Sequence, residues 1–316
     1  PMQEHNQFAH ASTYAGRMHA CGHDGHTATL LATAQYLAQH SDFDGTVYLI
    51  FQPAEEGGGG AKAMMDDGLF ERFPMDAVYA LHNWPGLAVG TVAASAGPVM
   101  GSSNEFKLVL RGKGAHAAMP HLGNDPVVAA AALIQAWQSI VSRNLKPIDD
   151  SVISVTILRA GEASNVIPET CTLEGTVRTF TLEVLDTIET RMREMANAIA
   201  AAYGCTAEFH FERNYPPTIN HAAQAQMVQT AAAAVLGSAQ VQAQEPTMGA
   251  EDFAYMLQAK PGCYFFLGNG DGAHRSSGHG MGPCMLHNPS YDFNDALLPI
   301  GVQIWAALVQ TELPHA

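Results

Sequence analysis

The middle of the chain constrains the fold most, because its strand and helix patterns follow one another in an order that few folds share. The predicted elements, in chain order, are a strand at Asn104–Leu110, a helix at Asp125–Arg143, strands at Ser151–Leu158 and Thr170–Thr179, a helix at Leu182–Tyr203 and a strand at Ala207–Arg213. The order β-α-β-β-α-β is that of the ferredoxin-like, split βαβ arrangement. We therefore expect residues 101–216 to form a separate domain inserted into a larger one, which consists of residues 1–100 and 217–316.

The two flanking parts of the chain alternate helix and strand patterns. The predicted elements there are a helix at Thr27–His40, a strand at Gly45–Phe51, a helix at Ala61–Leu69, a strand at Ala77–Leu81 and helices at Ala222–Leu236 and Leu297–Leu313. Such alternation is typical of an α/β layer with a mostly parallel sheet. The expected fold class is therefore α/β, with a ferredoxin-like domain inserted into it.

Composition narrows the partners that the chain can have. Its formal net charge of −15 argues against a nucleic-acid partner, which normally requires a basic surface. The longest apolar run, Val127–Ile134, is far shorter than the roughly 18 residues of a membrane span. The first residues, Pro1–His5, do not read as a signal peptide, and the five cysteines are odd in number and irregularly spaced. We therefore expect a cytoplasmic protein without a disulfide framework that binds neither nucleic acid nor membrane.

The segment MHACGHDGH, residues 18–26, is the richest in metal-ligating side chains. Cys21 and His23 are two residues apart, so in an extended segment both side chains leave the same face. A thiolate and an imidazole on one face suit zinc or another borderline transition metal. A single C-x-H pair is more often part of a small polar turn, but the density of ligand-type residues in this segment favours a metal site.

Adjacent carboxylates, Glu55 and Glu56, come after the predicted strand at Gly45–Phe51 and before a run of glycines. Two such groups at a strand end are both stable only beside a cation. One could then bind the cation while the other acts as a general base. Taken alone, the motif is equally well interpreted as a solvated acidic turn.

Two more histidines could complete a ligand set. His82 directly follows the predicted strand at Ala77–Leu81, and His287 lies in a loop near the C-terminus. Each histidine alone is more often a structural, hydrogen-bonded residue. Together with the first two motifs, however, they bring ligands from four segments, which suits two metal ions bridged by one ligand.

Three polar residues of the predicted inserted domain are weaker candidates. His116 lies in a glycine-flanked loop, Asn165 lies in the loop SNVIP, and Arg178 lies in a predicted strand. Arg178 alone is most simply a surface residue. All three become functional candidates only if this domain folds over the metal crevice.

At this point the chain resembles the N-acyl-amino-acid amidohydrolases, which include hippurate hydrolases and aminoacyl-auxin conjugate hydrolases, within the aminoacylase and glutamate-carboxypeptidase superfamily. The segments that carry the resemblance extend over essentially the whole chain and are MHACGHDGH, FQPAEEGGGGA, LHNWPG, RGKGAHAAMPH, SNVIP, GTVRTF, GAEDF and HNPSYDFND. The resemblance implies a mixed-sheet dinuclear catalytic domain interrupted by a ferredoxin-like lid that also forms a homodimer. It further implies metal-dependent hydrolysis of N-acetyl or N-benzoyl amino acids to a carboxylate and a free amino acid.

The resemblance also implies a ligand set for two divalent ions per subunit. Cys21 would bridge the ions. Glu56 and His287 would be the other ligands of one ion, and His23 and His82 those of the second. Zinc or manganese would fit best, and cobalt or nickel would also suit these donors.

The remaining implied roles concern catalysis and substrate binding. Glu55 would be the general base. His116 would reach the active site of the partner subunit and stabilise the tetrahedral oxyanion there. Asn165 and Arg178 would hold the carboxylate of the substrate, for which the bidentate arginine fork is well suited.

One departure from the family pattern concerns the start of the sequence. Family chains carry a preceding segment that ends in an Asp-rich strand of the form R-A-D-M-D-A-L-P, whereas this sequence begins at Pro1, where that strand would just have ended. The segment would supply a central strand and an aspartate that orients a metal-bound histidine. A catalytically silent homologue that binds metal or substrate without turnover therefore stays open. A dipeptidase, which differs only in the acyl group of its substrate, is a second alternative.

Overall fold

The computed structural model describes residues 1–315; residue 316, the last of the predicted catalytic domain, lies outside the described residues. The helices are α1 (His23–Gln39), α2 (Glu55–Gly58), α3 (Gly60–Asp66), α4 (Leu69–Arg72), α5 (Pro126–Arg143), α6 (Leu182–Ala202), α7 (Ala222–Leu236), α8 (Ala254–Ala259) and α9 (Leu297–Glu312). The strands are β1 (Val78–Pro85), β2 (Val92–Ala93), β3 (Gly97–Met100), β4 (Ser103–Arg111), β5 (Ala115–His116), β6 (Ser151–Ala160), β7 (Val166–Ile167), β8 (Thr170–Thr179), β9 (Thr206–Tyr215), β10 (Thr218–Asn220), β11 (Val241–Gln242) and β12 (Gly262–Gly270).

A mixed sheet in the order β1-β12-β2-β11 forms the first layer of the molecule. β1 runs parallel to β12, β12 antiparallel to β2, and β2 parallel to β11. The sheet is covered on both faces because consecutive side chains of β12 enter different apolar clusters. Phe265 packs with residues of α7 and α9, whereas Tyr264 and Phe266 pack with residues of α3 and α8. The expected α/β class is thus confirmed, with a mixed sheet.

A separate antiparallel sheet in the order β6-β8-β4-β9 forms the second region, and α5 and α6 cover one of its faces. Alternate residues of β4 and β8, such as Leu108 and Leu173, point into this core and are fully buried. Trp137 of α5 joins the two helices, because its indole N–H donates a hydrogen bond to the carbonyl of Met192. The chain order β4-α5-β6-β8-α6-β9 is the predicted ferredoxin-like one.

The short strand pair β3 and β10 lies where the chain passes between the two regions. β3 immediately precedes β4, and β10 follows β9 after two residues. Backbone hydrogen bonds therefore hold together the two segments in which the chain crosses from one sheet to the other.

Within residues 1–315 we find no helix with the length and apolar character that a membrane span requires.

The prediction of a strand at Gly45–Phe51 is wrong. This segment forms no strand ladder, and together with residues of β1 it lines a cavity of about 830 Å³. β-branched and aromatic residues favour an extended backbone, but a strand requires a neighbour at hydrogen-bonding distance. The aromatic side chain of Phe51 consequently remains 47% exposed.

Candidate metal centre

Cys21 and His23 are brought together by the start of α1 and not by an extended strand, so the predicted local geometry is wrong. Gly22 adopts a left-handed conformation with φ of 85°, and α1 begins at His23. Cys21 is buried, whereas the imidazole of His23 is one-third exposed. The left-handed turn at Gly22, which is energetically unfavourable for a residue with a Cβ, brings the side chains of Cys21 and His23 close together.

Glu55 and Glu56 lie on the short helical turn α2, and the predicted strand that should precede them is absent. Ala54 enters this turn with a left-handed φ of 55°, which is uncommon for a residue other than glycine. The Tyr215 hydroxyl donates a hydrogen bond to the Glu55 carbonyl at 2.6 Å. The side chain of Glu55 is 19% exposed and that of Glu56 is 53% exposed, so one carboxylate faces inward and the other outward.

The loop that carries these carboxylates is also fixed at both ends by one buried residue. Asp252 accepts a hydrogen bond from Gln52 Nε2 at 2.5 Å and another from the backbone N–H of Ala61 at 2.9 Å. Asp252 belongs to the motif GAEDF, but nothing in the sequence connects that motif with a segment 191 residues earlier.

His82 lies within β1, which continues to Pro85, and not after the strand as predicted. Its Nδ1 donates a hydrogen bond to the Asn83 carbonyl at 2.6 Å, because a carbonyl can only accept. The Nε2 lone pair is therefore available, and this atom lies 3.4 Å from the Sγ of Cys21. A histidine whose other nitrogen is fixed by a hydrogen bond is suitably oriented to bind a metal.

His287 reaches the same place from the C-terminal loop. It adopts a left-handed φ of 58°, and its backbone N–H donates a hydrogen bond to the carbonyl of Ala20 at 2.7 Å. The loop is thus attached to the segment that carries Cys21. Its Nε2 lies 3.0 Å from Oε1 of Glu56.

The five candidate ligands fall into two groups that share Cys21, and a further group of His23, Glu55 and Glu56 links the two. The ligand atoms of Cys21, His23 and His82 lie within 4.8 Å of one another, and so do those of Cys21, Glu56 and His287. The set combines a thiolate, a carboxylate and imidazoles, which are the donors that zinc and related transition metals accept. The arrangement therefore suits two ions that share the sulfur of Cys21.

Burial and crowded carboxylates disfavour negative charge at this site in the metal-free protein. Burial, reinforced by Glu56, Glu55 and Glu251, raises the pKa of the Cys21 thiol well above its usual range. Burial, followed by Glu56 and Asp252, raises the pKa of Glu55 to about 8. Within residues 1–315, no lysine or arginine forms an ion pair with these carboxylates. A bound cation would supply the missing positive charge.

His23 and His82 do not supply that charge. Burial lowers the pKa of His82 to about 4, and burial also lowers the pKa of His23 although Glu56 opposes the shift. Both imidazoles are therefore neutral near pH 7, which is the form that binds metals.

The weaker candidates lie in the region of the antiparallel sheet. His116 in β5 pairs with Val166 in β7, and the N–H of Ala117 donates a hydrogen bond to the carbonyl of Asn165. The structure thus brings the two exposed loops of His116 and Asn165 together, whereas Arg178 lies in β8. In the described part of the chain, none of these three side chains forms an ion pair or hydrogen bond with the five candidate ligands.

A family whose sequence pattern matches almost the whole length of this chain decides its classification. The sequence pattern of Peptidase family M20/M25/M40 matches residues 1–311. The chain belongs to this family. The resemblance to the N-acyl-amino-acid amidohydrolases that the motifs predict is thereby confirmed at the level of the family.

Named relatives and a solved structure of the family cover most of the chain. The N-acetyl-L-cysteine deacetylase of Bacillus subtilis is 42% identical over 87% of this chain and 65% of its own length. The hippurate hydrolase of Campylobacter jejuni is 37% identical over 98% of this chain and 78% of its own. A crystal structure of a dinuclear metal-binding peptidase of the same family, from Bacillus subtilis, is 34% identical, has a TM-score of 0.83, and is matched over 100% of this chain and 79% of that chain. The chain therefore spans between 65% and 79% of the length of these relatives.

Proposed function

We propose that this chain hydrolyses the amide bond of N-acyl amino acids with the help of two divalent metal ions. The observation that carries the proposal is that Cys21 belongs to both groups of candidate ligands, so that one sulfur would lie between two ions. Support also comes from the relatives, because N-acetylcysteine and hippurate, after which two of them are named, are both N-acyl amino acids. We place the enzyme in the cytoplasm, where the five buried cysteines would remain the free thiols that we observe.

The ligands would divide between the ions as the two groups do. Glu56 and His287 would bind one ion, and His23 and His82 the other, with Cys21 in common. Zinc or manganese suits this set best, and cobalt or nickel would also be accepted. When bound, the two ions would supply Lewis acidity, which acidifies water and polarises the carbonyl of the substrate.

Glu55 would move the proton. Its carboxylate oxygen lies 4.0 Å from the Nε2 of His23, and its ligand atom lies within 4.8 Å of those of His23 and Glu56, so it is close to both ligand groups. Glu55 would take a proton from the attacking water, whose oxygen bonds to the carbonyl carbon of the amide. It would then pass the proton to the nitrogen as the carbon–nitrogen bond breaks, and the amino acid would leave with a neutral amine.

One catalytic contact, that of His116, would come from a second copy of the chain. We propose that residues 101–216 form a lid and that two chains pair through it, since His116 and Asn165 are exposed on paired loops. His116 would stabilise the oxyanion in the partner subunit, and Asn165 and Arg178 would bind the substrate carboxylate. Burial removes water from the guanidinium of Arg178 and thereby lowers its pKa. A carboxylate of the substrate would stabilise this charge in place of the lost water.

A substrate panel tests the reaction and distinguishes it from the alternatives. Hippurate, N-acetyl amino acids and dipeptides would be offered to the protein loaded separately with zinc, manganese, cobalt and nickel. The proposal expects faster turnover of the N-acyl amino acids than of the dipeptides with at least one metal. Preference for dipeptides would identify a dipeptidase, and bound metal without any turnover would identify a silent homologue.

A further inference from the structure

A buried polar cluster that contains none of the five candidate ligands lies where their segments meet. It consists of His26, Asn83 and Tyr291, and we call it the Asn83 cluster. Asn83 is 0% exposed and Tyr291 is 2% exposed. The Nδ2 of Asn83 donates a hydrogen bond to the Tyr291 hydroxyl at 2.6 Å. The Oδ1 and the backbone nitrogen of Asn83 lie 2.7 Å and 3.0 Å from the Nε2 of His26.

Each member of the cluster belongs to a different ligand-bearing segment. His26 lies one turn after His23 in α1, Asn83 follows His82 in β1, and Tyr291 lies four residues after His287. The cluster thus connects three segments that are far apart in the sequence, since 208 residues separate Asn83 from Tyr291. The fourth segment, with Glu55 and Glu56, is held separately by Asp252 and Tyr215.

Gly22 shows how closely the cluster is packed against the candidate ligands. A Cβ at Gly22, between Cys21 and His23, would lie 2.5 Å from the Oδ1 of Asn83 and 2.5 Å from the Tyr291 hydroxyl. Such distances are far shorter than any non-bonded contact permits. The backbone that joins two candidate ligands therefore rests directly on the Asn83–Tyr291 pair.

We propose that Asn83 and Tyr291 are positioning residues that hold the two ligand groups at binding distance and thereby increase the affinity for divalent ions. The inference rests on the proposed metal centre and adds two residues that do not belong to its ligand set. The physical reason is that ligands from separate segments must otherwise be ordered by the ion itself, which lowers the affinity. A buried hydrogen-bonded network is rigid and fixes these segments before the ion arrives.

The test compares metal affinity in variants that retain all five ligands. Tyr291→Phe removes one hydroxyl, and the double variant Asn83→Leu with Tyr291→Phe replaces the polar pair by apolar groups of similar size. Apo protein would be titrated with zinc against a chelator, and with cobalt while the thiolate-to-cobalt absorption is followed. We expect the dissociation constant to rise about 10- to 100-fold in both variants, which is usual for the loss of an outer-shell partner.

Asn104→Ala is the matched control. Asn104 is also 0% exposed and donates hydrogen bonds through Nδ2 to Ser102 and Val177, but it lies in the antiparallel sheet. This variant should lose stability while its metal affinity stays that of the unsubstituted protein. The double variant removes both partners of the Asn83–Tyr291 hydrogen bond and leaves His26 Nε2 with only the backbone N–H of position 83, so it should also bind metal weakly.

Unchanged metal affinity in the folded Tyr291→Phe or double variant would overturn the inference. Should Tyr291→Phe fail to fold, the double variant decides alone. If the unsubstituted protein itself bound no divalent ion, the proposed metal centre would fail, and the inference would fail with it. Normal binding by the unsubstituted protein together with normal binding by the variants would contradict the positioning role only.

Discussion

The ligand groups and the lid loops differ in how completely one chain assembles them. Cys21 and His82 are buried, and the ligand segments are joined by hydrogen bonds such as that from the N–H of His287 to the carbonyl of Ala20. His116 and Asn165, in contrast, are exposed and held to one another by short backbone pairing. One chain therefore suffices to arrange the candidate ion-binding groups. This difference is the reason for proposing that His116 acts in a second copy of the chain.

The largest expected effect comes from Glu55, which borders the ligand groups. Glu55→Gln should retain its metal, because the five ligands remain, but should lose about 10²- to 10⁴-fold in kcat, the usual contribution of a general base. Glu56→Gln is the matched control and should lose metal instead. Metal content by elemental analysis and initial rates with hippurate distinguish the two. Surviving activity in a metal-loaded Glu55→Gln protein would remove Glu55 from the role of base.

A smaller loss is expected from His116 in the lid. His116→Ala should lower kcat by about 10²- to 10³-fold, as the removal of an oxyanion donor usually does, with metal content unchanged. The exposed His210 in β9 offers a control at which alanine should leave kcat unchanged. An unchanged kcat in His116→Ala would exclude the proposed role.

Mixing two inactive variants tests whether His116 acts in the partner subunit. A dimer of one Glu55→Gln chain and one His116→Ala chain would contain one site with both an intact Glu55 and an intact His116 from the other chain. Activity should therefore return when the two proteins are unfolded and refolded together, or coexpressed. If His116 acted within its own chain, both sites of the mixed dimer would remain inactive.

The smallest effect concerns the pH dependence of stability in the metal-free protein. Burial, followed by the charge of Glu55, raises the pKa of Glu251 well above that of an ordinary carboxyl group. Between its ordinary and its raised pKa, Glu251 loses its proton in the unfolded chain but keeps it in the folded one, so stability falls as pH rises. Glu251→Gln, which resembles the protonated form, should reduce this fall. Thermal unfolding in the presence of a chelator from pH 5 to pH 8 measures it, and equal slopes would contradict the assignment.

The sequence predicts the antiparallel region well because its strands alternate. Residues such as Leu108 and Leu110 face the core, while the residues between them are more exposed, and this period of two is visible in the sequence. β12 was missed because GCYFFLGNG is buried on both faces and shows no alternation. The predicted strand at Gly45–Phe51 failed for the opposite reason: its composition suits a strand, but pairing depends on a neighbour that the local sequence does not reveal.

The candidate ligands could be found from the sequence because each lies in a distinctive motif, although their local backbone could not. Asn83, Tyr291 and Asp252 lie within or beside these motifs, yet nothing in their spacing indicates a role. Their importance comes from contacts across long separations, as between Asp252 and Ala61. A single sequence records which side chains are present but not which distant segments meet.

The central claim, that two ions share Cys21 in a hydrolytic site, is tested most directly by titrating the metal-free protein with zinc or manganese while hippurate turnover is followed. We predict that the unsubstituted protein binds two ions per chain and that turnover appears as the sites fill. The Cys21→Ser variant should bind one ion fewer and show no turnover. Saturation at a single ion, or two bound ions without hydrolysis of any N-acyl amino acid, would contradict it.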